Sequence, residues 1–215
     1  MAVEGPVNIP GNDDPSTRRQ AMMSMAIRRA QAGTGSSAQR LRERTAAYGV
    51  PDIRKYLPGV RFAIVGGLAT RLYMPERMTL DADILVLPED RSAAETALAS
   101  ADGTRLGLLT VGGSSWRLPD GTEIDILALD EAWVEEAIER AVEGPGRQPY
   151  VRLPYLVLMK IAASRMQDLA DVSRMLGGAD SAALDDVRAF VRRYRPQDEE
   201  DLESLIHLGR LEQEH

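Results

Sequence analysis

The spacing of apolar residues changes repeatedly along this chain. From Gly59 onward, short unbroken apolar runs alternate with amphipathic stretches. "VRFAIV" (60–65) and "LDADILVL" (80–87) have the length and branched content of buried strands. Between them, "GGLATRLYM" keeps helical spacing behind two glycines. Pro88 ends the second run, and "EDRSAAETALAS" predicts an amphipathic helix. "RLGLLTV" (105–111), "SSWRLP" (114–119) and "TEIDILAL" (122–129) predict three further strands, with turns at Gly112-Gly113 and Asp120-Gly121. "DEAWVEEAIERAV" predicts a helix ending near Gly144. Past "GPGRQP" the period stays helical, predicting helices over 154–176, 181–194 and 198–213.

Upstream of this pattern, residues 1–15 show no period and predict a loose tail. Ser16 or Thr17 caps a predicted helix through Ala32, "GTGSS" breaks it, and a second short helix runs to Tyr48. Both have a thin apolar face, so they must pack on the body or on a partner. The expected organisation is a tail and helical extension over 1–49, an α/β core over 50–150, and a C-terminal helical subdomain over 151–215.

Composition narrows the function classes. The 215 residues are 44% hydrophobic and 27% charged, a globular balance. Aromatics are 5%, too few for a base-stacking platform as the main device. There is no cysteine, which excludes disulfides and thiolate metal sites. No apolar run reaches the ~20 residues that span a bilayer, and the N-terminus has no apolar signal core, so no membrane partner and a cytoplasmic location are expected. A net charge of −7 argues against a generic nucleic-acid coat. Seven arginines nevertheless fall between Arg18 and Arg44 against one acid, Glu43, and solvated faces are the expected reading of them. Lysine occurs only at Lys55 and Lys160, so each carries more weight than usual.

The chemistry concentrates in 62–87. Residues two apart on a strand share a face, so Asp81 and Asp83 aim together while Ala82 and Ile84 enter the core. Two adjacent carboxylates repel, and a hard divalent cation removes the conflict. Asp125, isolated between Ile124 and Ile126 on a predicted strand, is a third candidate ligand if that strand neighbours 80–87. Three such acids can hold two Mg²⁺ about 3.5–4 Å apart, the arrangement of in-line phosphoryl and nucleotidyl displacement. Gly66-Gly67, between a strand and a helix, would present backbone N–H groups to a phosphate.

If 154–176 is one helix, turning about 100° per residue puts Lys160, Ser164, Asp168 and Asp171 on one polar stripe. Lys160 is then a solvent-lined cation adding little to packing. Arg165 falls in the apolar arc, partly buried against Asp168. Asp171 reads as a solvated helix residue, Thr79 as structural, and Trp116 and Trp133 as core. Arg77 either holds phosphate or pairs with Glu76 or Asp81.

Asp-x-Asp also occurs in metal-dependent glycosyltransferases and haloacid-dehalogenase phosphatases. The upstream glycine pair and the continued apolar run after Asp83 favour another class. Apolar-Gly-Gly, thirteen intervening residues, Asp81-x-Asp83 and a later strand aspartate resemble the nucleotidyltransferase fold of the DNA polymerase beta superfamily. The lead-in Arg77-x-Thr79-x-Asp81-x-Asp83, with Lys160 and Arg165-x-x-Asp168-x-x-Asp171, resembles its AbiEii-type branch over about residues 60–176. Gly67 departs from the serine common in that superfamily, leaving a backbone-only phosphate grip.

The resemblance implies an α/β (α+β) fold with a mixed sheet flanked by helices. It implies metal ligands at Asp81, Asp83 and Asp125, with Mg²⁺ (two ions) or Mn²⁺ as cofactor. It implies an NTP substrate held by Gly66, Gly67, Arg77, Lys160, Arg165 and Asp168, with Lys160 also counted among the catalytic residues. The implied reaction moves an NMP to an acceptor hydroxyl, such as a tRNA 3′ end, in a toxin–antitoxin or phage-defence setting with a cognate antitoxin. A protein- or antibiotic-modifying transferase, or an inactive nucleotide- or partner-binding member, are the alternatives.

Overall fold

The computed structural model describes residues 51–74, 77, 79 and 81–213; the helices predicted within 16–48 lie outside them. Strand β1 (Ala63–Ile64) leads into the short helix α1 (Gly66–Thr70), followed by β2 (Ala82–Val86) and α2 (Arg91–Ser100). Strands β3 (Thr104–Leu108), β4 (Gly113–Arg117) and β5 (Glu123–Ala128) follow as a meander. Helix α3 (Val134–Glu139) and the short strands β6 (Val142–Glu143) and β7 (Pro149–Tyr150) complete the sheet. Four helices close the described residues: α4 (Leu153–Ala163), α5 (Met166–Gly177), α6 (Ser181–Tyr194) and α7 (Glu199–Gln213).

The seven strands of the described residues lie in the order β3-β4-β5-β2-β1-β7-β6. β2 pairs parallel with β5, and β1 parallel with β7, while the other neighbours run antiparallel. The sheet is therefore mixed and flanked by helices, as expected. Ile84, Leu85 and Val86 are fully buried, because β2 sits in the middle of the sheet with helices against it. Helix α2 packs on β3, β4 and β5, and α3 on β2. Trp116 and Trp133 are core residues, as expected; the Trp116 indole donates to Ser114 Oγ at 2.9 Å. No described helix is long and apolar enough to cross a membrane.

Several predicted elements differ from the observed ones. The strand expected over 60–65 pairs only at Ala63–Ile64, and the helix expected to reach Gly144 ends at Glu139. Its last residues instead turn into β6, which pairs with β7. Hydrogen bonding to a neighbouring strand overrides the local helical period there.

The largest correction concerns 154–176, which forms two helices rather than one. Ser164 adopts a left-handed conformation at φ 52°, its N–H closing on Lys160 O at 3.0 Å. Arg165 is extended, and α5 restarts at Met166. No glycine or proline marks the break. Its consequence is that α4 and α5 turn against each other, so the single-helix stripe does not exist. Further on, Asp180 caps α6 by accepting from the Ala183 N–H at 2.8 Å. Helices α5 and α7 meet so closely that a Cβ on Gly209 would lie 1.9 Å from Ser173 O.

Candidate active site

The sheet register brings two of the three candidate carboxylates together. Asp83 on β2 and Asp125 on β5 are direct partners in the parallel ladder, so their side chains leave the same face. Both are partly buried, between the fully buried Ala82 and Ile84 on one strand and Ile124 and Ile126 on the other. Asp81 is exposed and precedes the ladder, whose pairing begins at Ala82↔Ile124. Burial first, and then the Asp125 and Asp81 carboxylates, push the Asp83 carboxyl above the ordinary carboxylate value. The Gly67 N–H and Lys160 pull against that shift.

The glycine pair is explained by what lies beside it. Gly66 has φ +59°, and a Cβ there would stand 1.8 Å from Asp83 Oδ2. The Gly67 N–H points at the same oxygen at 3.4 Å, and a Cβ on Gly67 would meet Thr79 at 2.7 Å. The turn therefore cradles a carboxylate, and Thr79 covers it, in keeping with the structural role expected of Thr79. The Thr79 hydroxyl also donates to Asp81 O at 3.4 Å.

Lys160, expected on a solvent-lined stripe, is 5% exposed. Its Nζ donates to Asp168 Oδ1 at 3.0 Å and to Asp171 Oδ2 at 2.8 Å. Asp171, expected to be solvated, is 1% exposed and also accepts from Arg77 Nε at 3.1 Å and Gln167 Nε2 at 2.9 Å. Arg77 thus pairs with Asp171, a partner from α5 that its sequence neighbours did not suggest. Arg165 donates from Nε to Asp168 Oδ2 at 2.6 Å in the partly buried pair that was expected, but its own side chain is 78% exposed and so lies outside the apolar arc. The break at Ser164 explains all three corrections: it turns α5 so that its first acidic face meets Lys160, and leaves Arg165 outside. Asp168 holds the Arg165 guanidinium above its ordinary value, with Asp83 adding to the effect. The network is therefore within electrostatic reach of the carboxylate pair. The other lysine, Lys55, lies on the surface near Asp120.

Two polar residues beside the site went unnoticed in the sequence. Ser115 on β4 is the ladder partner of Asp125 and extends the Asp83–Asp125 row by one strand. Its neighbour Ser114 turns the other way and donates to Glu95 Oε1 at 2.8 Å. The two-residue period of "SSW" could have separated them once the strand pairing was known. Gln167 needed the helix break to be seen.

Among the described residues, no three His, Asp or Glu side chains close on a common point as a preformed metal cage. The donor set still suits Mg²⁺. That ion usually takes one or two carboxylates together with substrate phosphates and waters, not an all-protein cage. A partly buried, mutually repelling carboxylate pair is the arrangement that such an ion relieves.

No protein-family model and no curated protein matches the chain. Among solved structures, the chain is similar to ANT(2")-Ia in complex with adenylyl-2"-tobramycin, at 17% identity and TM-score 0.42, over 77% of this chain and 97% of that one. It is similar to a candidate nucleotidyltransferase from Helicobacter pylori, at 15% identity and TM-score 0.43, over 83% and 95% of the two chains. It is also similar to the Thermotoga maritima CCA-adding enzyme complexed with tRNA, at 13% identity and TM-score 0.32, over 80% of this chain and 53% of that one.

Proposed function

We propose that the protein is a divalent-metal-dependent nucleotidyltransferase that moves an NMP from an NTP to an acceptor hydroxyl and releases pyrophosphate. The observation that carries the reading is the ladder pairing of Asp83 with Asp125 in front of Gly66-Gly67. An apolar strand centre gives no structural reason for two facing carboxylates. Asp81, Asp83 and Asp125 would hold the cations. When bound, such cations neutralise phosphate charge and lower the pKa of an attacking hydroxyl.

The chain's own groups supply the rest. Asp125 lies at the edge of the carboxylate row next to Ser115, where an acceptor hydroxyl can approach, and accepts its proton. The positive charge of Arg77, Arg165 and Lys160 lies on the helix side. With two aspartates among three cations the network carries an excess of one positive charge, suited to a triphosphate. Gly66 keeps the Asp83 carboxylate against the backbone. In this reading residues 50–150 form the catalytic core, residues 151–215 a helical subdomain that completes the phosphate side, and residues 1–49 an arginine-rich extension.

The Arg77-x-Thr79-x-Asp81-x-Asp83 lead-in supports the toxin-type branch, with a tRNA 3′ end as acceptor and an antitoxin as partner. The test is incubation with each α-labelled NTP and Mg²⁺ in the presence of total RNA, lysate protein or an aminoglycoside. Label in RNA supports the tRNA-type acceptor, and label in protein or antibiotic redirects it. Label nowhere, with nucleotide bound, identifies a non-catalytic member of the fold.

A further inference from the structure

The ladder between β2 and β5 sets Asp83 beside Asp125 but leaves Asp81 outside it, since pairing starts at Ala82. Asp81 is therefore not held by the ladder pairing itself. Among the described residues just before it, Thr79 packs on Gly67 and Arg77 reaches Asp171. The Arg77 N–H also closes on Met74 O at 3.0 Å. The far end of this tether is buried and hydrogen-bonded on both carboxylate oxygens. The Asp171 carboxylate is 1% exposed, and Lys160 and Arg77 share one of its oxygens while Gln167 takes the other. Moving that carboxylate would strip Lys160 of a buried partner.

We propose that Asp171 is a positioning residue for the carboxylate site. It clamps Arg77, and through Arg77 holds Thr79 over Gly67 and Asp81 beside Asp83. Packing of α4 against α5 does not require this contact, because Lys160 already joins Asp168 and Asp171. Arg77 belongs to neither helix, and its side chain is 26% exposed. The pair acts on the lead-in to β2. A carboxylate on α5, distant in sequence, thereby controls how completely the three aspartates surround a cation. This inference rests on the metal reading above.

The test is Mn²⁺ binding to the nucleotide-free full-length protein, read by electron paramagnetic resonance, with a melting curve on each sample. Omitting nucleotide removes any contact of Arg77 to phosphate. Arg77→Gln and Asp171→Asn should each weaken Mn²⁺ binding by about tenfold or more, the usual cost of losing a group that orients a metal ligand. The double variant should lose no more than the worse single one, because both act through one contact. Arg77→Lys should recover most of the affinity. If Asp171→Asn does not fold, the two Arg77 variants decide alone, since that side chain is partly exposed.

Mn²⁺ affinity within about twofold of wild type in Arg77→Gln, with binding still dependent on Asp81, would overturn the proposal. So would losses that multiply in the double variant, or a wild-type protein that binds no Mn²⁺. The proposed function fails separately: the Mn²⁺ pattern would hold while no NTP is consumed.

Discussion

Lys160→Ala removes the shared cation from two carboxylates whose side chains are 6% and 1% exposed. Breaking a buried ion pair by deleting one partner costs about 3–5 kcal/mol, because the other charge stays buried. Here the acids are not abandoned. Asp168 keeps Arg165, and Asp171 keeps Arg77 and Gln167. The lower end, about 3 kcal/mol, is therefore expected. For a domain of this size each kcal/mol moves Tm by about 2–4 °C, so Tm should fall by about 6–12 °C. Lys160→Met keeps the apolar stem and loses only the charge, so it separates packing from electrostatics. Both variants should fall, with alanine lower because it also leaves a cavity. The assay is thermal and urea denaturation of metal-free protein, alongside NTP binding well below the transition. A Tm within about 1 °C of wild type in both variants would refute the buried-pair account and return Lys160 to a solvated stripe.

Gly66→Ala should abolish transfer and destabilise by at least about 2 kcal/mol, since it adds a left-handed penalty to a clash with Asp83; urea denaturation and activity check it. A Tm and activity close to wild type would mean that the turn relaxes freely. Asp83 carries a raised carboxyl in the fold, so the folded state holds its proton longer than the unfolded one. Metal-free stability relative to Asp83→Asn should then fall as pH rises from 3.8 through the raised value, and saturating Mg²⁺ should abolish that loss; a pH series of melts reads both. Gly209→Ala, at the α5–α7 contact, should cost about 1–3 kcal/mol without changing metal affinity, as measured by denaturation and Mn²⁺ titration.

The carboxylate pair was legible in the sequence because strand periodicity is local. A single aspartate between buried apolar residues, as at Asp83 and Asp125, can only be tolerated at a polar row of the sheet. The register that makes them partners is a tertiary property, and the sequence supplied only the condition that the strands be neighbours. The helical network is hidden in the sequence for a different reason. A break at a serine carries no glycine or proline, so the 3.6-residue period ran through it and carried Lys160, Arg165 and Asp171 to the wrong surroundings. Short strands such as β6 and β7 have too few residues for any period to show, and pairing alone makes them strands. The glycine pair shows in the sequence only as a source of free backbone N–H groups. The space that Asp83 and Thr79 fill beside it is a tertiary feature that no local pattern encodes.

Pyrophosphate release from each NTP, by wild type and by Asp83→Asn with and without Mg²⁺, tests the central claim most directly. In the presence of acceptor RNA or lysate, the account predicts Mg²⁺-dependent release by wild type that a chelator abolishes. Asp83→Asn should be slower by about a hundredfold or more, since removing a ligand forfeits several kcal/mol of transition-state stabilisation. Its metal-free Tm should equal or exceed that of wild type, because a like-charge contact is relieved. A folded Asp83→Asn that releases pyrophosphate at the wild-type rate would contradict the account.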